Sequence, residues 1–200
     1  MVNMVTIGVL GLQGAVDEHM NQIKEAGEHA ILVKNPEQLK DIDGLIIPGG
    51  ESTTMRKLMD HYGFMEPITA FFEQKKPIFG TCAGMVLVAK EMVCLEHPHL
   101  GFINITVNRN GFGRQRESFQ APLIVKGMEE PFMGVFIRAP FAVGVGEDVE
   151  ILASYDGKVV AARQEQVLVS SFHPELTGDQ RFIQLFLKMV KDSINRVEKL

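Results

Sequence analysis

Cysteine is scarce: the 200 residues hold two, Cys82 and Cys94. Two thiols cannot build a disulfide framework, and neither lies in a C-x-x-C pair of the kind that makes redox or zinc sites. The chain therefore reads as one made for a reducing compartment, the cytoplasm. Excess positive charge is missing as well. Lys and Arg number 20 against 25 Asp and Glu, a formal charge of −5, so neither nucleic acid nor an anionic membrane is an expected partner. Long apolar runs are also lacking. The stretch from Met1 to Val16 carries no side-chain charge, but it has no basic start, is broken by Asn3, Gly8, Gly11, Gln13 and Gly14, and is too short to span a bilayer as a helix. Internal repeats, low-complexity tracts and linkers are absent too. With 46% hydrophobic and 22% charged residues, disordered, collagen-like and coiled-coil chains are excluded. The length predicts a single domain over residues 1–200.

What is present in the first half is alternation. Thr6–Leu10 is a short apolar run bounded by glycine, and helical spacing follows over 15–26 at Val16, Met20 and Ile23, with Gly27 as a stop. Buried strands are predicted over 30–33 and 44–47, the second ending at Pro48-Gly49-Gly50 before a helix that begins near Ser52 or Thr53. A helix over about 66–74, a strand over 77–79 and an apolar helix over 85–92 come next, with Met85, Leu87, Val88 and Met92 assigned to the core. Such alternation predicts an α/β fold, a mostly parallel sheet with helices on both faces. After Pro98 the pattern turns β-rich over roughly 102–109, 118–126, 134–138, 149–155 and 158–164, with a hairpin turn at Tyr155-Asp156-Gly157-Lys158. A strand over 167–170 and an amphipathic helix over about 179–197 close the chain.

The sharpest chemical signal is Gly80-Thr81-Cys82-Ala83-Gly84, set between a buried strand and an apolar helix. A nucleophile on such an elbow is held exposed, and small neighbours are needed because strand and helix backbones pass closely. The helix start that follows favours the thiolate, the reactive form of cysteine. A base is supplied by Ser171-Phe172-His173-Pro174-Glu175, just after the last strand. Pro174 keeps His173 out of the helical region, so His173 and Glu175 can face one space and act as a relay to Cys82. The third element is Pro48-Gly49-Gly50-Glu51-Ser52-Thr53, at the strand edge where α/β proteins bind ligands. Its glycine N–H groups, with that of Ala83, can stabilise the oxyanion of acyl transfer, so Gly49, Gly50 and Ala83 form the expected oxyanion hole. It matches no phosphate-loop pattern.

These blocks resemble triad-type (class I) glutamine amidotransferases. Gly11-Leu-Gln-Gly-Ala15, Pro48-Gly-Gly-Glu-Ser-Thr-Thr54, Phe79-Gly-Thr-Cys-Ala-Gly84, Phe112-Gly-Arg-Gln115, Val135-Phe-Ile-Arg-Ala-Pro140 and Ser171-Phe-His-Pro-Glu175, in order along nearly the whole chain, are similar more narrowly to the glutaminase subunits of pyridoxal 5′-phosphate synthase, the PdxT/SNO family. The resemblance implies a three-layer, flavodoxin-like α/β fold with a β-rich extension. It also implies hydrolysis of L-glutamine to L-glutamate and ammonia, which passes to a synthase subunit in a large hetero-oligomer. By that resemblance Cys82 is the nucleophile, His173 and Glu175 complete the triad, and Gly50, Glu51, Ser52, Arg109, Ile137 and Arg138 contact glutamine. No metal or bound cofactor is implied for this chain. Free glutamine is a zwitterion, so its site needs a carboxylate such as Glu51 and a cation such as Arg109 or Arg138; which makes each contact stays open. An ammonia-transferring subunit is expected to be a weak catalyst alone, and to gain activity when its partner orders the peptide near Gly49 and Gly50. Two positions depart from the family's pattern: Gly111 stands where a serine is more usual, and Phe141 where a histidine is.

Other readings compete at lower weight. A catalytically silent regulatory subunit, or a cysteine hydrolase of another substrate on the same fold, shares the elbow. Arg109, Arg114 and Arg116 with Phe112 and Phe119 have the look of an RNA-binding stretch, against the acidic balance of the chain. Cys94, His97 and His99 have a metal-like spacing but lack a fourth ligand nearby. Glu18 and His19, near a helix start, read as a solvated pair.

Overall fold

Leu45 and Ile47 turn to one face of the central sheet and Ile46 to the other, and all three are fully buried. Burial on both faces is what an apolar run without alternation demands, and only a sheet covered on both sides provides it. The computed structural model describes residues 4–93, 99–109 and 118–197. Its strands, in chain order, are β1 (Thr6–Leu10), β2 (His29–Val33), β3 (Gly44–Ile47), β4 (Ile78–Thr81), β5 (Ala89–Met92) and β6 (Ile103–Asn108). They continue as β7 (Ser118–Leu123), β8 (Phe132–Ile137), β9 (Phe141–Val145), β10 (Glu150–Tyr155), β11 (Lys158–Gln164) and β12 (Val167–Ser170). The helices are α1 (Val16–Glu25), α2 (Ser52–His61), α3 (Met65–Glu73), α4 (Ala83–Val88) and α5 (Arg181–Val197).

The main sheet runs β2-β1-β3-β4-β12-β11-β9-β6-β5, with β10 added against β11. The five strands from β2 to β12 are mutually parallel; β11, β9 and β6 continue antiparallel, and β5 joins β6 in parallel. Strands β7 and β8 form a separate antiparallel pair. One face of the main sheet packs on α2, α3 and α4 through Met55, Met59, Ile68, Phe71 and the buried run Met85–Val88. The other packs on α1 and α5 through Ile23, Phe182, Ile183, Phe186 and Val190, where Phe79, Phe132 and Phe172 surround Phe182, and Phe136 meets Phe172, at centroid separations of 5.1–5.7 Å. This is the three-layer α/β arrangement with a β-rich extension that the sequence predicts. The turn glycines fit as well: Gly27 has φ +82°, and Asp156 and Gly157 both have positive φ, as the tight hairpin from β10 to β11 requires.

Three expectations are corrected. The helix expected over 85–92 ends at Val88, and the chain turns extended at Ala89 (φ −63°, ψ 143°) to form β5 against β6. Met85–Val88 is buried all round, so periodicity alone cannot separate a helix from a strand there. Strand β9 was not expected; its glycine Gly144 reads as loop, but pairing with β6 and β11 holds it extended. The pair Glu18 and His19 is split: Glu18 is exposed and His19 is completely buried. Cys94, His97, Gly111, Phe112, Arg114 and Arg116, which carry the metal-like, loop and RNA-like signals, lie outside the described residues. No helix among the described residues is long and apolar enough to cross a membrane, and none of their His, Cys, Asp and Glu side chains cluster to hold a metal.

Candidate active site

Strands β3, β4 and β12 are adjacent and parallel, in register at Ile47 with Gly80 and at Thr81 with Ser170. Their C-terminal ends therefore emerge together, about 4.8 Å apart. From these ends come Pro48-Gly49-Gly50-Glu51, Cys82 and Ser171-Phe172-His173, three segments far apart in sequence. Strand β1, next to β3, adds the loop 11–15.

Cys82 has φ +48° and ψ −103°, a conformation that non-glycine residues avoid and that marks a strained elbow. Its N–H donates to the Ser170 carbonyl at 2.7 Å. A Cβ on Gly84 would stand 2.0 Å from the Ile47 carbonyl oxygen, and one on Gly80 2.6 Å from the backbone of Gly84. The small flanking residues are thus demanded by backbone contact. Helix α4 is only six residues long, and the Cys82 Sγ lies 3.9 Å from the Ile137 carbonyl oxygen.

His173 is held by its N–H, which donates to the Val135 carbonyl at 2.8 Å. Glu175 falls in a single 3-10 turn, Pro174–Leu176, and its Oε1 reaches back to 2.6 Å from His173 Nδ1. The other imidazole nitrogen is left for the Cys82 side, where the thiol raises the His173 pKa. Burial opposes charge on His173, but the hydrogen bonds and charges of Cys82 and Glu175 outweigh it and raise the pKa to about 10. Burial likewise raises the Glu175 carboxyl, and its neighbours His19 and His173 more than offset this and hold it below its ordinary value.

The thiol faces a cavity of about 530 Å³. Gly49, Gly50, Glu51, Ser52, Cys82, Ala83, Arg109, Ile137, Arg138 and His173 all line it, and Glu175 stands behind His173. Every site residue expected from sequence is therefore brought together. The Gly49 carbonyl accepts from the Ala15 N–H at 3.0 Å, while the N–H groups of Gly49 and Gly50 have no acceptor among the described residues. A Cβ on Gly49 would stand 2.4 Å from His173 Cε1 and 3.3 Å from Cys82 Cβ, so only glycine lets this loop come so near the thiol and imidazole.

The charged groups are less symmetrical than the sequence suggests. Glu51 caps α2, its carboxylate accepting from the N–H groups of Thr53 and Thr54 at 3.1 and 2.7 Å and from Thr54 Oγ1 at 2.8 Å. A desolvation that raises its pKa is overcome by these bonds from Thr54 and Thr53, which bring it to about 2. Arg109 Nη2 lies 3.0 Å from Glu51 Oε1. Arg138 has φ +44°, and no ion pair engages it among the described residues.

Sequence reasoning missed Gln13, His19 and Gln22. Gln13 Oε1 accepts from the Glu51 N–H at 2.9 Å and so ties the first loop to the glycine loop; its place in the Gly11–Ala15 block was the available signal. Gln22 Nε2 donates to the Pro174 carbonyl at 3.0 Å, and His19 lies against Glu175. On a helical wheel His19 falls about 60° from Val16, close enough to the apolar stripe to have been read as buried.

A match to the model of the SNO glutamine amidotransferase family covers residues 9–192. The pyridoxal 5′-phosphate synthase subunit PdxT of Geobacillus sp. (strain WCH70) is 62% identical over 190 residues, 95% of this chain and 99% of that protein. That of Anoxybacillus flavithermus (strain DSM 21510 / WK1) is 60% identical with the same coverage. A glutamine amidotransferase crystal structure superposes with a TM-score of 0.87 at 46% identity, covering 92% of this chain and 98% of that one. A second, from Thermotoga maritima, shares the fold at 11% identity, with a TM-score of 0.62 and coverage of 98% and 86%. With the elbow, the His-Pro-Glu turn and the glycine loop meeting at one sheet edge, and with relatives this similar over almost their full length, the chain belongs to the SNO glutamine amidotransferase family.

Proposed function

We propose that this chain hydrolyses L-glutamine to L-glutamate and ammonia with Cys82, His173 and Glu175, and supplies the ammonia to a pyridoxal 5′-phosphate synthase subunit within a large hetero-oligomer. The observation that carries the reading is that Cys82 and His173, the latter bonded to Glu175 at 2.6 Å, share the wall of a cavity with Arg138, which has no ion-pair partner among the described residues. The Cys82 thiolate attacks the side-chain amide carbon of glutamine, and the oxyanion formed is met by the N–H groups of Gly49, Gly50 and Ala83. His173, protonated, gives its proton to the departing nitrogen, so ammonia leaves and a thioester remains. A water molecule, deprotonated by the same imidazole, attacks the thioester and releases glutamate, which restores the thiolate and imidazolium. Glu175 holds His173 in the required tautomer throughout.

Support for a partner comes from the names of the relatives, each a subunit of a synthase. The glycine loop gives that partner something to act on, because the Gly49–Gly50 peptide is held in its present orientation by the Ala15 N–H, which donates to the Gly49 carbonyl at 3.0 Å. Reorienting this peptide on docking is the step by which turnover would rise. The test is ammonia release from glutamine by wild type and Cys82→Ala, each with and without a competent synthase subunit. Partner-stimulated release that disappears in the variant is the expected result; no release in any mixture would sink the reading.

A further inference from the structure

Behind the triad lies a second buried imidazole that the reaction above does not use. His19, on α1, is completely buried, with Nε2 at 3.1 Å from Thr81 Oγ1 and 3.5 Å from Glu175 Oε2. Glu175 Oε1 is taken by His173, and Oε2 is buried without a hydrogen-bond partner of ordinary length among the described residues. A buried carboxylate oxygen left wholly alone is costly, so the imidazole that lies 3.5 Å from it supplies compensation it otherwise lacks. We infer that His19 is a positioning residue for the triad: its neutral imidazole, carrying the proton on Nε2, holds Glu175 Oε2 so that Oε1 stays aimed at His173 Nδ1.

The tautomer follows from satisfaction of donors. His19 Nδ1 is buried with no partner among the described residues, so a proton there would be an unpaired donor, whereas a proton on Nε2 has both Thr81 Oγ1 and Glu175 Oε2 within reach. Complete burial also pushes the His19 pKa down, against the pull of Glu175, and keeps the ring neutral. One turn further along the same face, Gln22 Nε2 grips the Pro174 carbonyl at 3.0 Å. Helix α1 therefore holds the His173-Pro174-Glu175 turn at two points, its backbone and its carboxylate. A carboxylate free to rotate would let the imidazole swing, and a triad loses turnover more than substrate affinity when its base is misaimed.

The inference rests on the glutaminase reading for its kinetic readout, so a second readout is independent of glutamine. His19→Leu and His19→Gln are compared with wild type for glutamine turnover with the synthase subunit present. They are also compared for the rate of iodoacetamide modification of Cys82, followed on the peptide that carries it. Gln places an N–H donor near the position of Nε2, and Leu fills the space without one. His19→Leu is expected to lower kcat about tenfold with the glutamine KM within about twofold, and to slow Cys82 modification, while His19→Gln keeps most of both. A packing role gives the opposite order, since Leu suits an apolar core better than Gln. Thr81→Val, which removes the competing acceptor, is expected to keep kcat within about twofold. Should His19→Leu not fold, His19→Asn, too short to reach Oε2, is read in its place with the same expected loss. Unchanged kcat and modification rate in His19→Leu, equal losses in His19→Leu and His19→Gln, or a tenfold loss in Thr81→Val would overturn the assignment. Absence of turnover in wild type, with the expected order still seen in Cys82 modification, would remove the glutaminase reading and leave the positioning role standing.

Discussion

Arg109 Nη2 lies 3.0 Å from Glu51 Oε1, so two charges that the sequence sets aside for opposite ends of glutamine are paired with each other. Both are substantially exposed, 38% and 51%, and a pair of this kind contributes little to stability. Its consequence is for binding. Arg109 must share its guanidinium between Glu51 and a substrate carboxylate, whereas Arg138 has no ion-pair partner to give up among the described residues. Arg138→Ala is expected to raise the glutamine KM roughly tenfold or more, and Arg109→Ala by a smaller factor. Steady-state KM for glutamine in the two variants checks the order, and a larger effect at Arg109 would reverse the assignment.

Glu51 has a second duty, as the N-cap of α2. Glu51→Ala removes both its bonds to the Thr53 and Thr54 N–H groups and is expected to cost about 1 kcal/mol of stability. Because its folded pKa, about 2, is below the ordinary 4.5, this contribution is full above pH 4.5 and is lost as pH falls toward 2. Urea unfolding at pH 7 and pH 3 should show the gap between wild type and variant closing at the lower pH.

The elbow tolerates no side chain at Gly84. An added Cβ would stand 2.0 Å from the Ile47 carbonyl oxygen, a backbone atom of the neighbouring strand that cannot step aside. Gly84→Ala is therefore expected to cost at least about 2 kcal/mol. Ala at Gly178, where nothing lies within 4 Å, is the control and should unfold close to wild type. Thermal denaturation of the pair distinguishes them.

His173 is charged in the folded chain up to about pH 10 and in the unfolded chain only up to about 6.5. Its raised pKa adds stability that is fully present below pH 6.5 and is lost as pH rises toward 10. The difference in melting temperature between wild type and His173→Asn should shrink across that window. A difference that stayed constant from pH 6 to pH 10 would mean that the imidazole is neutral in the fold.

Local pattern was enough for the elements whose burial is simple. Strands β1, β3 and β12 and the hairpin turn at Asp156-Gly157 are legible because a short apolar run or a positive-φ pair has one good local solution. Where burial is complete, as over Met85–Val88, the pattern goes silent and does not mark where the helix ends, while β9, only partly buried and interrupted by Gly144, has no clear alternation to read. His19 was lost for a related reason. A lone polar residue on a helix is usually solvated, and nothing local says that Glu175, 156 positions away, will meet it.

The sequence by itself determined the chemistry on offer: a thiol between small residues, a histidine and a glutamate across a proline, a glycine pair, and a family resemblance carried by six blocks. Tertiary structure decided how those groups are used. Parallel pairing of β3, β4 and β12 in register brings three distant segments to one edge, because adjacent strands must end side by side. It also spends Glu51 on a helix cap and on Arg109, leaves Arg138 without an ion pair among the described residues, and puts an unexpected imidazole behind Glu175. Those outcomes depend on distances of a few ångströms between residues far apart in the chain, and such distances are set only when the sheet and both helix layers close around them.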